Sequence, residues 1–237
     1  MNELNKQTPD PQLLQNLVSG SRFVPMFFYT GMVQAILNGT KTETRRPINL
    51  PTTSFYHGNT LNDKFIACFF ENNKDENYFL KKPKLYKNDI IWVRETFCND
   101  ERGSKSGIDD CYYYKADMLS DKIWAGFWSP SIHMPKKACR IFLKVVSVHV
   151  ERLQDIDEQS AINEGIENLS ADKFKANLFR NYLKSEKEIN YQDFTTDDPI
   201  VSYQTLWQKI NGKDSWELNP FVWVYKFERI ERPHDFR

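Results

Sequence analysis

No stretch of the 237 residues approaches the roughly eighteen consecutive apolar side chains that a membrane-spanning helix needs. Nor does one sign of charge prevail. Lys and Arg number 32 and so do Asp and Glu, so no global field draws in a polyanion, and any contact with nucleic acid has to come from a local patch. The four cysteines (Cys68, Cys98, Cys111, Cys139) include no C-x-x-C pair, and the four histidines (His57, His133, His149, His234) include no ligand-spaced pair. A zinc site needs convergent ligands, which this spacing does not supply locally; the thiols read as reduced and structural, and neither metal nor organic cofactor is expected. There is no P-loop, no G-x-G-x-x-G, no G-x-S-x-G and no internal repeat. The opening Met1–Lys6 is polar, with no apolar run behind it that resembles a signal peptide, which points to a cytoplasmic protein.

What the chain does have is a strip, Gly39 to Pro47, holding three cations, one carboxylate and three threonines in nine residues. Met32, Ala35, Ile36 and Leu37 precede it at helical spacing, and Gly39 is a natural left-handed stop. Pro47 pushes Arg46 toward extended geometry, so the strip reads as a strand leaving a helix. Such a strand is either a solvated charged edge or a place where side chains converge on a site.

Around it, residues 1–20 read as a polar arm and Phe23–Thr30 as a first strand. From about 50 to 84 the pattern dissolves into Pro, Asn, Thr and Lys and reads as a long loop or insertion. Ile90–Phe97 is a strong strand whose alternation places Ile91, Val93, Glu95 and Phe97 on one face and Ile90, Trp92, Arg94 and Thr96 on the other. One charge must then lie among apolar neighbours, either in an ion pair with Arg45 or Arg46 or in a functional role. Cys111–Asp117 and Arg140–Val150 read as further strands, with an aromatic loop carrying Trp128 and His133 between them. Asp157 caps a short helix that Gly165 ends, and Glu164 sits in its last turn, where the helix dipole and any burial make a carboxylate less acidic. Residues 168–199 read as a second insertion with helical character, Val201–Ile210 as a helix, and Phe221–Ile230 as a closing alternating strand with Phe221, Trp223, Tyr225 and Phe227 on one face. Long spans of strand with few short helices do not suit a doubly wound sheet; a mixed α+β, mainly β fold, a partly open barrel with helices at its ends, fits better.

The run FFYTGMVQAILNGTKTETRRP (Phe27–Pro47) resembles the helix and basic strip of the ASCH family, the activating-signal-cointegrator homology domains with a PUA-like barrel. NDIIWVRET (Asn88–Thr96), YKAD (Tyr114–Asp117), SIHMPKKACR (Ser131–Arg140), VERLQDIDEQSAINEGI (Val150–Ile166) and WQKINGKDSWELNPFVW (Trp207–Trp223) are similar to a phage- and prophage-associated branch of that family. The resemblance implies one PUA-like domain over residues 21–237 with insertions near 50–84 and 168–199, and an association with nucleosides, modified bases or single-stranded RNA rather than a duplex. Small bacterial members hydrolyse N4-acetylcytidine with a Lys, a Thr and a Glu. Their Lys-x-x-Thr spacing falls on Lys41 and Thr44, and their Glu on Glu164.

Amide hydrolysis needs a nucleophile, a base and donors for the oxyanion. Thr44 supplies a hydroxyl, and Lys41 is a base if desolvation and its arginine neighbours lower its pKa from about 10.4. Glu164 would orient Lys41 or carry a proton, with Glu95 as the substitute carboxylate. In a regular strand Lys41 and Thr44 face opposite sides, so the triad requires a bend. The expected binding residues are Arg45, Arg46, Trp92, Arg94, Glu95, Trp128 and His133. The leading expectation is a metal-independent amidohydrolase of N4-acetylcytidine-like nucleosides. A competing one is a non-catalytic reader that uses the arginines for polar contacts and Trp92, Trp128 or Tyr113 for stacking. A third is a phage accessory protein that binds a host protein through its insertions.

Overall fold

A computed structural model of the chain describes residues 22–50, 55–61, 64–70, 78–99, 112–118, 128–170, 178–184 and 194–237. The expected polar arm, Cys111 at the start of the tyrosine-rich strand, and half of the second insertion lie outside these residues.

Five strands form the central mixed sheet: β1 (Phe23–Phe27), β2 (Glu43–Pro47), β6 (Ile90–Arg94), β9 (Phe142–Arg152) and β12 (Phe221–Ile230), in the order β1-β6-β9-β12-β2. β1 runs parallel to β6, and the other pairings are antiparallel. The two edge strands each carry a proline, Pro25 in β1 and Pro47 closing β2, where a missing N–H leaves no ladder bond unmade. The fold is thus mixed α+β, mainly strand with few helices, and among the described residues the sheet does not close on itself.

Both faces of this sheet are covered. On one, Ile91, Val93, Leu143, Val145, Trp223, Tyr225 and Phe227 pack against Val33 and Ile36 of helix α1 (Thr30–Leu37). The alternation of β12 accounts for this, since Trp223, Tyr225 and Phe227 share a face and leave Val222 and Val224 for the other. There, helices α2 (Glu158–Asn163) and α3 (Pro199–Asn211) bury Ala161, Tyr203, Leu206 and Trp207. Farther along the second face, Ile90, Trp92 and Phe142 meet Met134, Ala138 and Phe236.

Three readings are refined or changed. Of the two alternatives for 50–84, loop or insertion, the described residues fit an insertion with its own strands: β3 (Phe55–Leu61), β4 (Lys64–Phe70) and β5 (Tyr78–Lys81) form an antiparallel sheet, and Phe69 seats on Phe221 with ring centroids 5.2 Å apart. The strand beginning at Ile90 stops at Arg94. Residues 95–96 leave the ladder, so Phe97 joins the cluster of Trp92 rather than that of Val93, and β7 (Phe97–Asn99) pairs with β8 (Tyr112–Tyr114). In the second insertion, the described residues form a two-residue ladder of β10 (Phe179–Arg180) with β11 (Thr195–Thr196).

Candidate functional site

The strip leaves α1 by way of Gly39, whose φ of +78° is the left-handed turn that its missing side chain permits. The N–H groups of Thr40 and Lys41 both donate to Ala35 O, and that of Thr42 donates to Asn163 O at the end of α2. Lys41 therefore precedes β2 instead of lying in it, and the strict alternation that would oppose it to Thr44 does not apply. Gly165 makes this possible. Its φ is +80°, and a Cβ there would lie 2.8 Å from both the Ala35 and Lys41 Cβ atoms, so the turn ending α2 comes close to the strip only because that side chain is absent.

Lys41 and Glu164, 123 positions apart, meet in the interior. Lys41 Nζ donates to Glu164 Oε2 at 2.8 Å, to Glu164 O at 2.7 Å and to Glu43 O at 2.9 Å. All three ammonium hydrogens have an acceptor, and the side chain is wholly buried. Burial pulls the Lys41 pKa down, and the Arg46 and Arg45 charges add to that; Glu164 pulls the other way without reversing it. The other oxygen of Glu164 accepts from Arg45 Nη1 at 3.3 Å, and Arg45 Nε donates to Glu151 Oε1 at 2.7 Å. Glu151 Oε2 lies 3.3 Å from His149 Nε2, closing a chain of contacts from a partly exposed imidazole to Lys41. Burial acts to raise the Glu151 pKa, but His149 and Arg45 outweigh it and hold the carboxyl below its ordinary range. Glu43 is buried with both oxygens short of a hydrogen bond; Lys226 Nζ at 3.7 Å and Arg45 Nη1 at 4.0 Å are its counter-charges.

Thr44 is buried opposite Tyr225 on the ladder of β2 with β12. Among the described residues its hydroxyl has no hydrogen bond to Lys41, Glu164 or any other group. Arg46 is half-buried over the Phe28 ring, 5.6 Å from its centroid, and Nη2 donates to Phe27 O at 3.1 Å.

Glu95 does not pair with Arg45 or Arg46. Arg140 takes it in a fork, Nε to Oε1 and Nη2 to Oε2, both at 2.9 Å. It forks again onto Asp117 at 2.6 and 2.9 Å while stacking 3.8 Å from the Tyr114 centroid. Glu95 is buried and its pKa is raised by desolvation despite Arg140, but the pair is complete within itself. Arg94, one residue earlier, points the other way. It lies over the rings of Phe27 (5.0 Å) and Trp92 (5.5 Å) and donates from Nη2 to Ile132 O.

Trp92 belongs to the apolar cluster around Phe236. Trp128 is half-buried with its Nε1 unpartnered, and His133 is exposed on a tight turn over Ser131–His133. Among the described residues no hydrogen bond, ion pair or ring contact joins Trp128 or His133 to Lys41, Thr44 or Glu164. The expected residues therefore divide into a buried charge cluster (Lys41, Arg45, Glu164), a self-contained fork (Glu95) and an outer pair of arginines (Arg46, Arg94). Sequence reasoning missed Arg140, Glu151, Phe27 and Tyr29. Glu151 and His149 alternate along β9, the one local sign that they share a face; the pairing of Arg140 is long-range and leaves none.

Among the described residues, no group of three or more His, Cys, Asp or Glu is placed to hold a metal ion, and no helix is long and apolar enough to cross a membrane. Compared with protein-family models, with curated proteins and with solved structures, the chain matches none.

Proposed function

We propose that this is an ASCH-type, PUA-like protein that binds a nucleoside or modified base where the end of β1 meets β2 and β6. The carrying observation is the exposure of Phe27 (42%) and Tyr29 (65%) beside Arg46 and Arg94, which gives two aromatic faces for stacking next to two guanidinium groups for hydrogen bonding. The resemblance of Phe27–Pro47 to the family strip, and an open, helix-covered sheet of mixed strands, support the same assignment. Lys41, Arg45 and Glu164 serve beneath this surface. With every ammonium hydrogen engaged and no exposed side-chain area, Lys41 fixes the turn that carries the strip rather than touching a ligand.

Hydrolysis is the second reading, favoured by one observation: a buried Lys of lowered pKa lies 2.8 Å from a carboxylate and three residues from Thr44. In it, the Thr44 hydroxyl adds to the acyl carbon and gives its proton to neutral Lys41. The proton passes to the departing amine, and water then releases the acid from the acyl-threonine. Titrating the full chain with cytidine and N4-acetylcytidine while assaying released acetate separates the two. Binding without acetate release supports the reader. Chelator-resistant release that is lost in Thr44→Ala replaces it with the hydrolase, and the absence of both binding and release ends both readings.

A further inference from the structure

Arg94 is a cation short of an anion. Its Nε is buried with no hydrogen-bond partner, its Nη2 donates to a neutral carbonyl, and no carboxylate among the described residues lies within ion-pair distance of it. A guanidinium whose Nε is buried without an acceptor is costly, in contrast to Arg140, which has two carboxylates, and Arg45, whose Nε and Nη1 reach two others. Arg46 is in the same position: half-buried, with Nη2 on Phe27 O and no carboxylate at ion-pair distance among the described residues. Glu164, whose charge reaches Arg46, has both oxygens engaged by Lys41 and Arg45.

The two unpaired arginines converge on one residue. Phe27 offers its carbonyl to Arg46 and its ring to Arg94, and it is the register partner of Arg94 where β1 and β6 pair. Phe27 and Tyr29 are both exposed, and Tyr29 lies within electrostatic reach of Arg46. Planar, forked donors without carboxylates, set beside exposed rings, match a ligand that is anionic and flat at once.

We infer that Arg46 and Arg94 bind a phosphate, so that the ligand of this surface is a nucleotide or a single-stranded nucleic acid and not a free nucleoside. The inference rests on the base-binding reading and narrows it. Each guanidinium supplies charge-assisted hydrogen bonds to phosphate oxygens, while Phe27 and Tyr29 take the base.

The test titrates the full chain with cytidine, cytidine 5′-monophosphate, inorganic phosphate and a six-residue oligocytidylate. The monophosphate is expected to bind about tenfold or more tightly than cytidine, one charge-assisted contact being enough for that factor. Arg94→Gln and Arg46→Gln should each weaken the monophosphate more than cytidine, closing most of that gap. Arg94→Lys, which keeps the charge, should retain part of it, and thermal melts of all three variants check that they fold. Equal affinity for cytidine and its monophosphate overturns the phosphate inference and leaves base binding standing. Inorganic phosphate binding as tightly as the monophosphate supports the anion site and overturns the base reading; no binding of any probe overturns both.

Discussion

At the scale of single residues, the buried cluster and the outer arginines make opposite demands on the fold. Lys41 is desolvated but completely paired, so losing it leaves Glu164 Oε2 without its donor and takes one from the Glu164 and Glu43 carbonyls, with Arg45 alone left on the carboxylate. Lys41→Met should therefore cost about 3–5 kcal/mol, the usual penalty for breaking a buried pair from one side, read as the loss of unfolding free energy in a denaturant titration. A change under about 1 kcal/mol would mean that the pair carries little of the structure. Asp157 shows the reverse economy on the surface. The Ser160 backbone N–H donates to it at 2.6 Å and holds its carboxyl below the ordinary range. A group whose pKa falls on folding stabilises above its unfolded value, near 3.9, and that contribution is lost as pH drops through the folded value. Asp157→Asn should accordingly flatten the acid side of the stability–pH curve below about pH 4 and leave its slope near neutrality unchanged. Acid denaturation superimposable on that of the parent chain would contradict the assigned cause.

At the scale of elements, close approach governs the site more than any single contact. Gly165 lets the end of α2 settle against Ala35 and Lys41. Gly165→Ala forces a methyl into 2.8 Å contacts at a positive φ, so it should lower stability by about 1–3 kcal/mol and weaken ligand binding with it, because the same turn aims the strip. Calorimetry that finds either quantity unchanged would separate the turn from the site. Much at this scale was legible from periodicity. The apolar stripe and Gly39 marked α1, the capping Asp157 and Gly165 bracketed α2, and the alternation of β12 assigned its two faces correctly. The three-stranded sheet over 55–81 was not legible, because Gly58, Lys64 and other polar residues interrupt its alternation and its strands are recognisable only through their pairing. The end of β6 at Arg94 was missed for a related reason: Glu95, Thr96 and Phe97 continue the β-prone pattern, and only the Arg140 fork, 45 positions away, pulls Glu95 off the ladder line. The Lys41–Glu164 contact was expected from the family resemblance; the triple acceptance that ties up the ammonium, and the absence of any described partner for Thr44, depend on three-dimensional packing that no local pattern encodes.

At the scale of the whole molecule, the zero formal charge sets the salt dependence. Without a global field, single-stranded binding should release counterions only where Arg46 and Arg94 meet phosphate. Two such contacts predict a slope of about −1.4 for log K against log salt on oligocytidylate. Strong duplex binding with a slope several times steeper would require a basic surface elsewhere. The order of strands carries a consequence of another kind. β2 holds the strip, yet its ladder partner is β12, and β12 in turn lies between β2 and β9. As the chain leaves the ribosome, residues 43–47 have no ladder neighbour until residues 221–230 emerge, whereas α1, β1 and β6 are complete much earlier. Closing so long a loop is slow compared with local contacts. The strip can therefore join the sheet only late, and until then it is an unpaired basic strand open to whatever else offers it an edge.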